Sequence, residues 1–319
     1  MKSLVKINLI FLMTIFIFMT LVVESFFMLW VFMELSTLVF LFILNTDTSS
    51  TNGSSLKYFV IQALASMLMI VFFSLFITEE YFTNSKEIIM TLILSWKTGM
   101  APVHSWFMNI IMDISWDSFF LMSTLMKITP FFLMSTFLSH LSYFVILISI
   151  SIPVLAGVTQ GCFKKIMGLS SIFTSGWVLS AMLLGGTLWV VAFFTYSLLL
   201  LLFCSLTSTT PAKELDMGVV KDTNLDSVIT FLILLSLSGV PPFSGFFLKL
   251  FILVGLLKSG MVYFSLALLL VSSMSIYMYL KLLFKYMSMM SLSYSPKISA
   301  NESLTLVILN FVSALAILV

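Results

Sequence analysis

The sequence predicts an all-α polytopic membrane protein, and three observations carry that prediction. Of 319 residues, 61% are hydrophobic and only 9% charged, with a mean hydropathy of +1.18, whereas a soluble domain carries about 25% charged residues. Polar and Gly/Pro punctuation divides the chain into eleven apolar stretches, each near the roughly 20 residues a helix needs to cross the hydrocarbon core. Two of these, the fourth and the ninth, carry proline and glycine well inside an apolar run.

The first stretch, 3 to 23, follows Lys2 and Lys6 and has no small-residue cleavage site after it, so it reads as a span and not a secretory signal. The second, 25 to 44, contains Glu34. The polar segment NTDTSSTNGSS leads to the third, 56 to 78, and TEEYFTNSKE to the fourth, 88 to 112. The fifth runs 117 to 138, the sixth 141 to 159, the seventh 163 to 183 and the eighth 187 to 208. After a polar connection over 207 to 226 comes the ninth, 227 to 257. The tenth spans 261 to 285, and beyond the connection 287 to 302 the eleventh spans 302 to 319.

Both interrupted stretches are expected to be broken helices: Trp96-Lys97-Thr98-Gly99-Met100-Ala101-Pro102 and Ser238-Gly239-Val240-Pro241-Pro242-Phe243-Ser244-Gly245. Proline removes a backbone donor and clashes with the preceding turn, which frees carbonyls that need water, ions or polar neighbours. The breaks lie five helices apart. An odd number of helices per unit makes successive units insert with opposite orientation, the pattern of an inverted repeat. The first repeat covers about 1 to 140 and the second about 141 to 285, with a C-terminal helix at about 302 to 319.

Charge is sparse and placed by side. The net charge is +2 and arginine is absent, too small an excess to imply a nucleic-acid partner. With eleven spans, Lys2, Lys6, Lys57, Lys164, Lys165, Lys213, Lys221, Lys281, Lys285 and Lys297 fall on one side, and Lys86 and Lys258 on the other. The positive-inside rule then puts the N-terminus on the cytoplasm-equivalent side. Abundant Phe and Met with no Arg suits an AT-rich gene read with a mitochondrial code, in which case that side is the matrix. Cys162 and Cys204 form no C-x-x-C pair, and no G-x-G-x-x-G follows a strand signal, so redox or dinucleotide chemistry is not expected in this chain.

Four ionisable side chains remain inside the membrane: Glu34, Lys97, Lys127 and Lys249. Each costs about 2.5 to 3.5 kcal/mol near the bilayer centre, so such groups face a protein interior or a hydrated cavity and mark function. Glu34 and Lys97 form a candidate ion pair, with a protonated or lipid-interface Glu34 and a snorkelling Lys97 as the structural alternatives. A lysine held between desolvation and a nearby carboxylate can load and release a proton as its neighbour's charge changes. Lys127 shares a helix face with Ser123 and Thr124, and Thr129-Pro130 opens the ladder beyond it. Its structural alternative is a static bridge to Asp113 or Asp117. Lys249 lies seven residues past Pro242, with interfacial snorkelling as its alternative. His104, two positions past Pro102, is a further candidate for a proton path, against an ordinary packing role. His140 reads as interfacial. Gln62, Ser66, Ser170, Ser171, Thr174 and Ser175 can support intervening water or act as helix-packing glue.

In order and spacing these segments resemble the antiporter-like subunit 2 family of mitochondrial NADH dehydrogenase, part of the membrane arm of respiratory complex I. The landmarks are Phe32-Met33-Glu34-Leu35, Leu56-Lys57-Tyr58-Phe59 with Gln62-Ala63, Trp96 through Trp106, Met126-Lys127-Ile128-Thr129-Pro130, Lys164-Lys165-Ile166-Met167 with Ser170-Ser171-Ile172, and Gly239 through Phe246 with Lys249. The resemblance implies an eleven-helix antiporter-like domain and proton translocation across the inner mitochondrial membrane. It implies Glu34 and Lys97 as the coupled pair, Lys127 as the central carrier and Lys249 as the terminal one. It also implies that NADH, FMN, iron-sulfur clusters and ubiquinone bind to other subunits, that no metal binds here, and that the partners are neighbouring membrane-arm subunits, lipids and protons. The chain departs from the pattern at Val103-His104-Ser105-Trp106 and at Thr159-Gln160-Gly161-Cys162-Phe163-Lys164-Lys165. A freestanding cation/proton antiporter and a scaffold subunit are the competing readings.

Overall fold

The computed structural model describes residues 2–47, 52–78, 83–138, 142–208 and 224–290. The expected helix at 302 to 319, most of the 207 to 226 connection, and His140, Lys213, Lys221 and Lys297 lie outside the described residues. Among those residues every regular element is a helix. The chain divides into two compact units, 1–145 and 146–319.

The first unit opens with an antiparallel pair, α1 (Lys2–Val22) and α2 (Phe26–Thr46), joined by a turn so short that the two pack along their length. Then come α3 (Asn52–Thr78), α4 (Thr83–Thr98), α5 (Ser105–Asp113), α6 (Trp116–Ser123) and α7 (Leu125–Thr136). Packing runs in sequence order from α1 to α4, and α7 then returns against α4, α2 and α1. That closure places α2, α4 and α7, the helices bearing Glu34, Lys97 and Lys127, side by side. Ser115 caps α6, its hydroxyl oxygen accepting from the Ser118 N–H at 3.4 Å.

The second unit contains most of α8 (Ser142–Thr159), then α9 (Phe163–Leu183), α10 (Leu188–Ser208), α11 (Asn224–Ser238), α12 (Ser244–Lys258) and α13 (Val262–Met290). Its centre is α9, of whose apolar stretch 89% is buried, against 17% for α1 in the first unit. The α9 sequence allows this, because Gly168, Ser170, Ser171, Ser175, Gly176 and Ser180 keep it narrow while its hydroxyls donate to its own carbonyls. Helix α10 packs on α9, α11 on α10, and α12 and α13 on α11.

Among the described residues eight helical stretches are long and apolar enough to span a bilayer, with α6 and α7 counting together as Trp116–Thr136. The other two expected spans are the interrupted pairs, α4 with α5 and α11 with α12. Each first half ends the same way. At the first break Gly99 N–H donates to Trp96 O at 3.1 Å and Met100 N–H to Ser95 O at 2.9 Å, with Gly99 at φ 71°. At the second, Gly239 N–H donates to Ser236 O at 3.2 Å and Val240 N–H to Leu235 O at 3.4 Å, with Gly239 at φ 81°. This is the Schellman termination, which needs a left-handed residue and so selects glycine. Gly245 is required for another reason: a Cβ there would collide with Ser236 O, the backbone of α11.

The fifth span differs from expectation in detail. The helix is interrupted at Thr124 (φ −117°, ψ −79°), where Lys127 N–H donates to Thr124 O at 3.0 Å, and Pro130 sits inside α7. The proline ring presses on the carbonyl four residues back, at Met126. Lys127 stands in the first turn of the new helix, three residues before the proline.

Candidate functional site

Glu34 projects from the middle of α2 and Lys97 from the last turn of α4. Lys97 Nζ donates to Glu34 Oε1 at 2.8 Å, with side-chain exposures of 2% for Lys97 and 22% for Glu34. The pair forms because the Schellman end places Lys97 inside the membrane depth of Glu34, where a cation near a helix C-terminus is also favoured by the helix dipole. The break frees the Lys97 carbonyl, and Gln62 of α3 answers it, Nε2 donating at 3.2 Å. Gln62 is thus a structural partner of the broken helix.

Lys127 is buried in the same unit, its ammonium 5.1 Å from the centre of the Phe107 ring. Ser123 and Thr124, expected to form a polar stripe with it, donate their hydroxyls to carbonyls of their own helix, at 2.8 Å to Phe119 O and 2.6 Å to Phe120 O. Asp117, weighed as a static partner, is 59% exposed and pairs with Lys6 at 3.2 Å. One cavity is shared by Lys97 and Lys127. It is lined by Thr37, Gln62, Lys97, Trp106, Lys127 and Pro130 among others, and has about 20 Å³ available to a water-sized sphere, enough for about one molecule.

Lys249 lies in the second unit, one turn into α12. Its Nζ donates to Ser238 O at 2.7 Å, the terminal carbonyl of α11, and stands 5.0 Å from the Phe173 ring centre and 5.9 Å from Trp177. A second cavity beside it, with about 50 Å³ open to a water-sized sphere, is lined by Thr174, Thr195, Tyr196 and Ser236. His104 directly precedes α5, half-buried, with Nδ1 3.2 Å from Pro102 O, and does not line the cavity shared by Lys97 and Lys127.

One ionic cluster gave no signal as a unit in the sequence. Lys6 of α1 pairs with Asp47 at 3.0 Å and Asp117 at 3.2 Å, and Ser115 Oγ donates to Asp47 at 2.6 Å. The N-terminus of α1, the C-terminus of α2 and the N-terminus of α6 therefore meet at one end of the first unit. Alternation of the spans puts those three ends on one side, but it does not pair these residues. In the second unit Lys281 Nζ likewise donates to Val158 O at 2.6 Å, joining the C-terminal parts of α8 and α13.

Over residues 23–276 the chain matches the model of the NADH:quinone oxidoreductase/Mrp antiporter transmembrane family. It belongs to that family. Among curated proteins it is similar to NADH-ubiquinone oxidoreductase chain 2 of Aedes aegypti, 30% identical over 91% of this chain and 89% of the other. The chain 2 proteins of Myxine glutinosa and Anopheles gambiae are 32% identical over 72% of this chain and 70% of theirs, and 29% identical over 79% and 77%. Among solved structures it superposes on a chain of the Dietzia Mrp complex with a TM-score of 0.78 at 18% identity, covering 92% of this chain but only 62% of that one. A chain of Thermus thermophilus respiratory complex I gives a TM-score of 0.75 at 20% identity, covering 92% and 72%. These superpositions show an antiporter-like membrane fold.

Proposed function

We propose that this chain is a proton-translocating membrane-arm subunit of an H+-pumping NADH:ubiquinone oxidoreductase, in the inner mitochondrial membrane. The observation that carries the reading is the 2.8 Å ion pair of Glu34 and Lys97 at a helix break, opening on a cavity that Lys127 also lines. Two ammonium groups line that cavity, and one of them holds the carboxylate. Any change in the charge of Glu34 alters the electrostatic cost of a proton on Lys97, and through the shared cavity on Lys127. Lys127 is the central carrier and Lys249 the terminal one, with the first and second halves of the chain forming the inverted repeats. His104 lies off this series.

In this reading the electron chemistry belongs to other subunits, which hold NADH, FMN, iron-sulfur clusters and ubiquinone. The chain's own residues hold and pass protons. The N-terminus faces the matrix, and the meeting of Lys6, Asp47 and Asp117 at one end supports the alternation of spans on which that orientation rests. The relatives named chain 2 support assembly with neighbouring membrane-arm subunits.

The test is Lys127→Met in the assembled complex, reconstituted in liposomes. The methionine fills the same space without a titratable group, so assembly and electron transfer persist while protons moved per electron fall. Undiminished pumping in an assembled Lys127→Met complex refutes the role. Cation/proton exchange by the purified chain alone favours the freestanding antiporter, and loss of assembly without a selective pumping defect favours the scaffold.

A further inference from the structure

Trp106 is the second residue of α5 and 7% exposed, and its indole N–H has no hydrogen-bond partner among the described residues. A buried donor left without an acceptor is costly, and native structures answer it with protein or with ordered water. Its ring stands 6.3 Å from Tyr58 and 5.8 Å from Phe107 between ring centres, so it is held in place by packing. Trp106 also lines the cavity shared by Lys97 and Lys127, which has about 20 Å³ open to a water-sized sphere. One water needs about 10 to 15 Å³ by that measure and two to four polar partners.

The partners are present and are short of one molecule. Ser36, Thr37 and Thr98 line the cavity, but each donates its hydroxyl to its own helix, at 2.7 Å to Met33 O, 2.8 Å to Glu34 O and 3.0 Å to Ser95 O. Their oxygens therefore offer lone pairs only. Pro130 deprives the Met126 carbonyl of its helical donor, and Met126 lines the same space. Lys97 uses one of its three N–H donors on Glu34. The residues lining the cavity thus include unused donors on Trp106 and Lys97 and acceptors on the hydroxyls and at Met126. A single water reconciles the two sets: it accepts from the indole and from the Lys97 ammonium, and donates to one of the oxygens and to the unprotonated Lys127 amine.

We infer that Trp106 is a positioning residue which fixes one ordered water between Lys97 and Lys127, orienting it to carry a proton from one to the other. The indole stays a donor throughout, so the water's other lone pair faces the Lys97 ammonium; as the water takes that proton it gives one of its own to the unprotonated Lys127 amine, leaving Lys97 neutral, Lys127 charged and the water unchanged. This rests on the proton-translocating reading above.

The test compares Trp106→Phe, which keeps an aromatic ring and removes the N–H, with Trp106→His, which restores a ring N–H, and with Lys127→Met, all in the assembled complex in liposomes. Trp106→Phe is expected to lower protons moved per electron toward the Lys127→Met level and to change the solvent isotope effect on pumping, while Trp106→His recovers part of both. Wild-type pumping and isotope effect in Trp106→Phe, with Lys127→Met impaired, overturns the inference alone. Wild-type pumping in Lys127→Met overturns the functional reading itself. If Trp106→Phe does not assemble, a density map of the unaltered complex that resolves other buried waters decides. Water within hydrogen-bond reach of the Trp106 indole supports the inference, and an empty cavity overturns it.

Discussion

Replacing Glu34 with Gln leaves Lys97 buried without its counter-ion, and the structure sets the size of the effect. At 2.8 Å the Coulomb attraction is about 6 kcal/mol for an effective dielectric of roughly 20. Desolvation of the two ions takes back several kcal/mol. A coupling of about 2 to 4 kcal/mol remains, within the range found for close charge pairs in protein cycles. Removing either partner alone should therefore cost about 3 to 5 kcal/mol, whereas removing both leaves two neutral side chains and returns most of that. The assay is a double-mutant cycle of Glu34→Gln, Lys97→Met and the double variant, read as thermal survival of the intact complex in lipid nanodiscs. Proton pumping is measured alongside. The double variant should recover stability but not pumping, because both titratable groups are gone. Effects that add to within about 0.5 kcal/mol mean that the two side chains are not coupled, and recovery of pumping in the double variant contradicts their use as the input pair.

Two further expectations follow from the helix breaks. Gln62→Leu strips the donor from the Lys97 carbonyl and should cost about 1 to 3 kcal/mol for the buried acceptor left behind, seen as a lower melting temperature of the complex. Gly245→Ala drives a Cβ into Ser236 O, whereas a Cβ at Gly161 meets nothing within 4 Å. Native-gel assembly should fail for the first and be unchanged for the second, and equal assembly of both would remove the close approach of α11 to α12.

Much of this was legible because burial of charge and loss of backbone bonds both leave marks in a sequence. The spans are apolar runs, and the two breaks announce themselves as glycine followed by proline, which the Schellman ends at Gly99 and Gly239 account for. Glu34 and Lys97 were legible as partners, since opposite charges at one depth in neighbouring helices have strong reason to meet. Neutral groups leave no comparable mark. Nothing distinguishes Gln62, which holds the Lys97 carbonyl, from Ser66, which donates to Ala63 O in its own helix, and nothing marks the Trp106 indole as unpartnered. At Thr129-Pro130 the missing donor was legible from the proline itself, whereas the interruption at Thr124 falls at a residue type that carries no such mark.

The Lys249 bond to Ser238 O sets the two halves of the chain apart. Lys97 is held by a carboxylate, and a carboxylate can be discharged: one proton arriving at Glu34 dissolves the attraction without any atom of the backbone moving. Among the described residues no carboxylate pairs with Lys249, and its anchor is the negative end of α11. A peptide carbonyl does not titrate in any accessible range. The first lysine is therefore released when its partner is discharged, and the second only when its own proton leaves or by mechanics, either a swing of its own side chain or a shift of α12 against α11. Gly245, which locks those two helix ends in near contact, leaves the side-chain swing as the cheaper of the two.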